Sequence, residues 1–122
     1  LAEWCGLEAP AEIEGVSLVP VLEDPTAVVR TSAMTQTPRP NYPKGKMPQS
    51  MGYTIRTEHW RYTEWRDFNS GKVLARELYD HDNDSGETVN VVSKESNAGV
   101  LSRMAAELKN RLNSDALEVQ RR

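Results

Sequence analysis

The stretch that most constrains the fold of this 122-residue chain is MGYTIRTEHWRYTEWRDF, residues 51–68. Two runs dense in aromatic and β-favouring residues, Tyr53 to Thr57 and Trp60 to Trp65, flank the polar pair Glu58 and His59. Such side chains fit a pleated, half-buried surface, and the polar break between them predicts a β-hairpin. Alternation puts Tyr53, Ile55 and Thr57 on one face of the first strand, with Thr54 and Arg56 on the other. On the second strand Trp60 and Tyr62 oppose Arg61, Thr63 and Trp65. One face is expected to pack while the other stays partly polar. A lone hairpin is at best marginal in water, so the rest of the chain must add strands and a cover.

The run from Val28 to Thr37, rich in Val, Thr, Ser and Met without a helical stripe, predicts one such strand, and Val73 to Tyr79 predicts another after the turn signal at Asn69, Ser70 and Gly71. Between the first strand and the hairpin, TPRPNYPKGKMPQS carries four prolines and a glycine, which argues against a regular element there. The cover comes from the C-terminal third. Val100, Leu101, Met104, Leu108 and Leu112 recur at helical spacing behind a capping residue at Ser96 or Asn97. After Asn113 the polar SDALEVQRR is expected to fray. At the other end LAEW reads as the last turn of a helix, as in a processed or truncated product, with Gly6 at its C-cap. GVSLVPVLEDP then gives a short apolar helix limited by Pro20 and Pro25.

The expected fold is α+β: a small antiparallel sheet of three to four strands, a C-terminal amphipathic helix packed on one face, and a short helical N-terminal segment before it. Residues 1–122 read as one unit: 1–27 as helix end, loop and short helix, 28–79 as strands, 80–113 as acidic turn and helix, and 114–122 as tail. A net charge of -3 lacks the basic excess that nucleic-acid binding requires, and no apolar run approaches the roughly 20 residues of a bilayer span, so neither nucleic acid nor membrane is an expected partner. Cys5 is the only cysteine, which rules out an intrachain disulfide and a multi-cysteine metal site.

Several side chains invite a chemical reading. Asp80, Asp82 and Asp84 alternate as in a calcium loop, but an EF-hand begun at Asp80 would need Gly where Ser85 stands and Glu where Val91 stands. They are expected to cap the following helix instead. His59 and His81 each neighbour carboxylates in predicted turns, where exposed imidazoles are ordinary. Trp60, Tyr62 and Trp65 could stack on a sugar ring, but an aromatic hairpin beside a helix more often supplies core, with Trp65 nearest a domain boundary. Arg56 and Arg61 are expected in structural ion pairs or interdomain hydrogen bonds, with Asp67 or Glu64 as candidate partners. In the proline-rich loop Arg39, Lys44 and Lys46 stand without an acidic neighbour.

Three blocks in order resemble the tail of a sulfatase. LAEWCGLEAPAEIEGVSLVPVLEDP is similar to that family's helix, glycine loop and G-x-S-L-x-P-x-L segment. TQTPRP followed by MGYTIRTEHWRYTEW resembles the iduronate-2-sulfatase branch in particular, and ELYDHDNDSGETVN resembles the segment leading into the final helix. The resemblance implies a sulfuric ester hydrolase acting on sulfated glycans such as glycosaminoglycans, in a periplasmic, secreted or lysosomal setting. Its catalytic chemistry, a formylglycine nucleophile and a calcium ion, is implied for a large N-terminal domain. Cys5 in WCGLE lacks the Pro and Arg of the modification motif, so the chain alone is expected to be inactive, with no catalytic, cofactor or metal residue. Implied partners are that catalytic domain and a sulfated saccharide, with a dimer through exposed interdomain surface also open. Gln36, Arg39, Lys44 and Lys46 then become candidates for the rim of the substrate pocket, since a stiff loop presents cations at low ordering cost; ordinary surface charge or a contact to the catalytic domain is the equal alternative for these cations. The alternative is an independent α+β binding module with no catalytic role.

Overall fold

The computed structural model describes residues 1–10, 13, 15–40, 45 and 47–119, with residues 114–119 described by their backbone alone. It contains a short helix α1 (Val19–Glu23), strands β1 (Ala33–Arg39), β2 (Ser50–Arg56), β3 (Trp60–Asp67) and β4 (Val73–Asp80), and a long helix α2 (Ala98–Val119). Single 3-10 turns lie at Glu3–Cys5 and Glu95–Asn97. The chain divides into two units, Leu1–Thr31 and Ser32–Arg122. Lys44 and Lys46 lie outside the described residues.

In the first unit Gly6 closes the 3-10 turn with φ 67°, a left-handed conformation that glycine adopts without the strain of a β-carbon. Proline opens α1, and Asp24 beyond its end accepts hydrogen bonds from the backbone and hydroxyl of Thr26. None of the described residues of this unit is buried. Trp4, Leu7, Ile13, Leu18, Leu22 and Val28 all stand exposed, Trp4 at 70%.

The second unit is a four-stranded antiparallel sheet in the order β1-β2-β3-β4. The expected hairpin is β2 and β3, joined by the turn at Glu58 and His59, with Ile55 opposite Tyr62 and Thr54 opposite Thr63. Ile55, Tyr62 and Leu78 meet Met104 and Leu108 of α2, all five at 0% exposure, with Val91 completing the core. Trp60 and Tyr53 pack against this cluster, as do Val100, Leu101 and Leu112 from the helical stripe. The opposite face is not simply polar. Thr54 and Thr63 are buried there and share a hydroxyl hydrogen bond of 2.8 Å.

Three boundaries differ from expectation. β1 begins at Ala33, not Val28, because β2 ends at Arg56, the ladder partner of Ala33, and residues before Ala33 have no strand to pair with. It also runs past Thr37 through Pro38 and Arg39, which were expected in the loop. Proline is tolerated because β1 is an edge strand. At the C-terminus α2 continues to Val119 instead of stopping near Asn113, over residues that contain neither proline nor glycine. Among the described residues no helix is long and apolar enough to cross a membrane.

Candidate functional site

The sheet carries polar clusters on both faces. On the face under α2, Glu64 is 5% exposed, yet it is fully engaged. Tyr62 donates its hydroxyl proton to Glu64 Oε1 at 2.7 Å, while Arg66 donates to Oε2 from Nε at 2.9 Å and from Nη2 at 2.6 Å. Arg76 lies opposite Glu64 in the ladder, with Nε 3.5 Å from Oε1. Burial pushes the Glu64 carboxyl up, but the Tyr62 and Arg66 hydrogen bonds and the two guanidinium charges outweigh it and hold the group below its ordinary value. Burial and the same carboxylate push the Tyr62 phenol up. Both Glu64 oxygens are thus engaged within the sheet, as expected of a packing device, although Arg76 keeps about half of its side chain (51%) exposed.

On the opposite face, at the turn end of the hairpin, Arg56 Nη2 donates to His81 Nδ1 at 3.0 Å. Arginine can only donate, so Nδ1 accepts and the imidazole proton sits on Nε2, which donates to Glu87 Oε1 at 2.8 Å. Arg61 donates to Glu87 Oε2 at 2.6 Å. Glu87 reaches both partners from a left-handed backbone, φ 54°, uncommon for a residue with a β-carbon. Burial raises the Glu87 carboxyl, and the Arg61 and His81 hydrogen bonds reverse that shift and leave it lowered. Neither Glu64 nor Asp67 partners Arg56 or Arg61, contrary to expectation: Glu64 belongs to the other face, and Asp67 caps its own turn through Ser70. His81 is not a solvent-exposed turn residue either, since its side chain is 16% exposed.

The acidic segment serves local structure. Asp80 accepts from the Asp82 backbone at 3.1 Å and from Asn83, and Asp84 accepts from Thr88 and from the Val89 backbone. These carboxylates cap their own turn; the helix expected to use them starts only after Lys94. Asp82 binds His59 Nδ1 at 2.8 Å, and that hydrogen bond and charge raise the His59 imidazole. Among the described residues no group of three or more His, Cys, Asp or Glu is arranged to hold a metal ion.

Of the four rim candidates, two can be placed. Gln36 pairs with Tyr53 and so shares the face that α2 covers, whereas Arg39 pairs with Ser50 on the opposite face. Their separation by three positions along a strand puts them on opposite sides of the sheet. They are not brought together, and Arg39 is the one on the face that α2 leaves uncovered. Its guanidinium lies 4.3 Å from the centroid of the Trp65 ring. Trp65, unlike Tyr62, is not part of the hydrophobic core. Its indole N–H donates to Glu77 at 2.9 Å. The spacing of Arg39 and Trp65 in sequence gave no sign of this contact, which depends on the registers of two strand pairs.

A family model described as N-sulphoglucosamine sulphohydrolase, C-terminal, matches residues 1–114. No curated protein matches at a significant level. Among solved structures, a putative sulfatase from Bacteroides thetaiotaomicron is similar with TM-score 0.73 and 20% identity, over 99% of this chain and 24% of that one. A protein solved in complex with its substrate D-glucosamine-2-N,6-O-disulfate is similar with TM-score 0.70 and 25% identity, over 91% of this chain and 22% of that one. A third structure, from work on the metabolism of multiple glycosaminoglycans by Bacteroides thetaiotaomicron, gives TM-score 0.66 and 22% identity over 85% of this chain and 22% of its own. The chain thus spans about a quarter of the length of the structures it resembles.

Proposed function

The chain belongs to the sulfatase C-terminal domain family described by N-sulphoglucosamine sulphohydrolase, and from that premise we propose that it supports the catalytic domain of a sulfatase that hydrolyses sulfate esters of glycans. The observation that carries this reading is the family match over residues 1–114. The family implies calcium and formylglycine in the catalytic domain, and no residue of this chain is assigned to either. The whole of 1–122 acts as one C-terminal subdomain, with its first 27 residues leading in from the catalytic domain. In support, the unit Leu1–Thr31 exposes Trp4, Leu7, Leu18 and Leu22, a density of bare apolar side chains that a partner surface would cover.

Within that family the parent enzyme is of the iduronate-2-sulfatase type. Support comes from TQTPRP and MGYTIRTEHWRYTEW, the segments that form β1, β2 and β3. Arg39 rims the substrate pocket, with Lys44 and Lys46 beside it in sequence, while Gln36 on the other face is the weaker candidate. The test is sulfate release by the full-length protein from a panel of sulfated saccharides that includes 2-sulfated uronates and N-sulfated glucosamine. Release from 2-sulfated iduronate supports the finer assignment; release only from N-sulfated glucosamine keeps the sulfatase and removes the iduronate type.

A further inference from the structure

We infer that Trp65 is a positioning residue that holds Arg39 as a preset clamp for an oxyanion of the substrate, and this rests on the sulfatase reading above. Three features fix the indole. Its N–H is tied to Glu77 at 2.9 Å. Its ring lies over Gly52, its ladder partner, so closely that a β-carbon there would stand 2.8 Å from Cζ3. The β3–β4 ladder shifts register directly after Trp65, where β4 carries one extra residue, and such bulges re-aim neighbouring side chains.

On this platform Arg39 stacks at 4.3 Å from the ring centroid. A guanidinium held over an aromatic face keeps its N–H donors available, and those donors match a carboxylate or sulfate through two parallel hydrogen bonds. Among the described residues no carboxylate pairs with Arg39, in contrast to Arg61 and Arg66, which are both consumed by glutamates. Glu77, on the same face, accepts the Trp65 indole N–H through its Oε1. The sheet therefore sets an exposed, stacked arginine at the entrance to the proline-rich loop, with its rotamer restricted before ligand arrives. The ligand chemistry is an oxyanion on a saccharide: a uronate carboxylate or a sulfate other than the one being cleaved.

The test uses the full-length protein, 4-nitrophenyl sulfate as a substrate without a second anion, and two heparin-derived disaccharides. One disaccharide keeps the uronate carboxylate without a second sulfate; the other is carboxyl-reduced and keeps the second sulfate. Trp65→Leu should weaken the calorimetric Kd for one of them about tenfold, the loss of one charge-assisted contact. Turnover of 4-nitrophenyl sulfate should stay near wild type, with circular dichroism confirming that the variant is folded at the assay temperature. Trp65→Phe, which keeps a stacking face, should recover most of the affinity, and Gly52→Ala, which displaces the ring, should lose it. The disaccharide that responds identifies the oxyanion. An unchanged Kd for both disaccharides overturns the inference, as does an equal loss on 4-nitrophenyl sulfate, which would make Arg39 a contact to the catalytic domain. A wild-type protein that releases sulfate from nothing overturns the sulfatase reading itself, and is recognised before any variant is made.

Discussion

Replacing Glu64 by Gln tests whether the buried cluster beneath α2 holds the sheet together. The substitution keeps the shape of the side chain and removes its charge. Arg66 then loses the carboxylate oxygen that accepts from both its Nε and Nη2, and Tyr62 loses a charged acceptor at 2.7 Å. Breaking a fully buried ion pair costs about 3–5 kcal/mol. The Arg66 side chain is 28% exposed, so water recovers part of that cost. The expected loss is about 2–3 kcal/mol, against about 1 kcal/mol for Tyr62→Phe, which removes a single hydroxyl. Because both changes touch one carboxylate, the double variant should lose less than the sum.

Urea unfolding followed by tryptophan fluorescence measures these differences, and pH supplies a second axis. The Glu64 carboxyl is held below its ordinary 4.5 in the folded chain. A depressed carboxylate contributes stability that is complete above the unfolded value and drains away as pH falls through the folded one. The gap between wild type and Glu64→Gln should therefore be full near neutral pH and shrink below about pH 4.5. A variant within about 0.5 kcal/mol of wild type, or a gap constant with pH, would refute the reasoning.

Truncating Leu108, at 0% exposure between α2 and the sheet, to Ala should cost about 2–5 kcal/mol in the same assay, and a loss below about 1 kcal/mol would mean that α2 does not seal the core. Thr54→Val alone should strand the Thr63 hydroxyl and cost about 1–3 kcal/mol, while the pair Thr54→Val with Thr63→Val should be milder than the single change. His59 should titrate above 6.5 by NMR, and Asp82→Asn should move it back down; since the folded value is raised, this contact stabilises at low pH and is lost as pH rises through that value.

Much of the sheet could be read from side-chain type because β2, β3 and α2 are defined by local patterns: aromatic alternation in Tyr53 to Trp65 and an apolar stripe from Val100 to Leu112. The start of β1 could not, since it depends on where β2 stops, and Pro38 argues for a strand only once β1 is known to be an edge. The same distinction governs the polar residues. Arg61 finds Glu87 across 26 positions, and Arg56 finds His81 across 25, through a loop whose backbone no periodicity describes. Local candidates such as Glu64 and Asp67 were nearer in sequence but lay on the wrong face or in their own turn. The basic loop was visible from its lysines and arginine, whereas the indole beneath Arg39 emerged only from the pairing of Gly52 with Trp65 and Ser50 with Arg39.

The central claim is that this chain is the C-terminal support of a glycan sulfatase. Its most direct test is inorganic sulfate released from sulfated disaccharides by the full-length protein in the presence of calcium, beside the 122-residue chain alone. Release by the full-length protein and none by the isolated chain is the expected result. No release by the full-length protein from any member of the panel would contradict it.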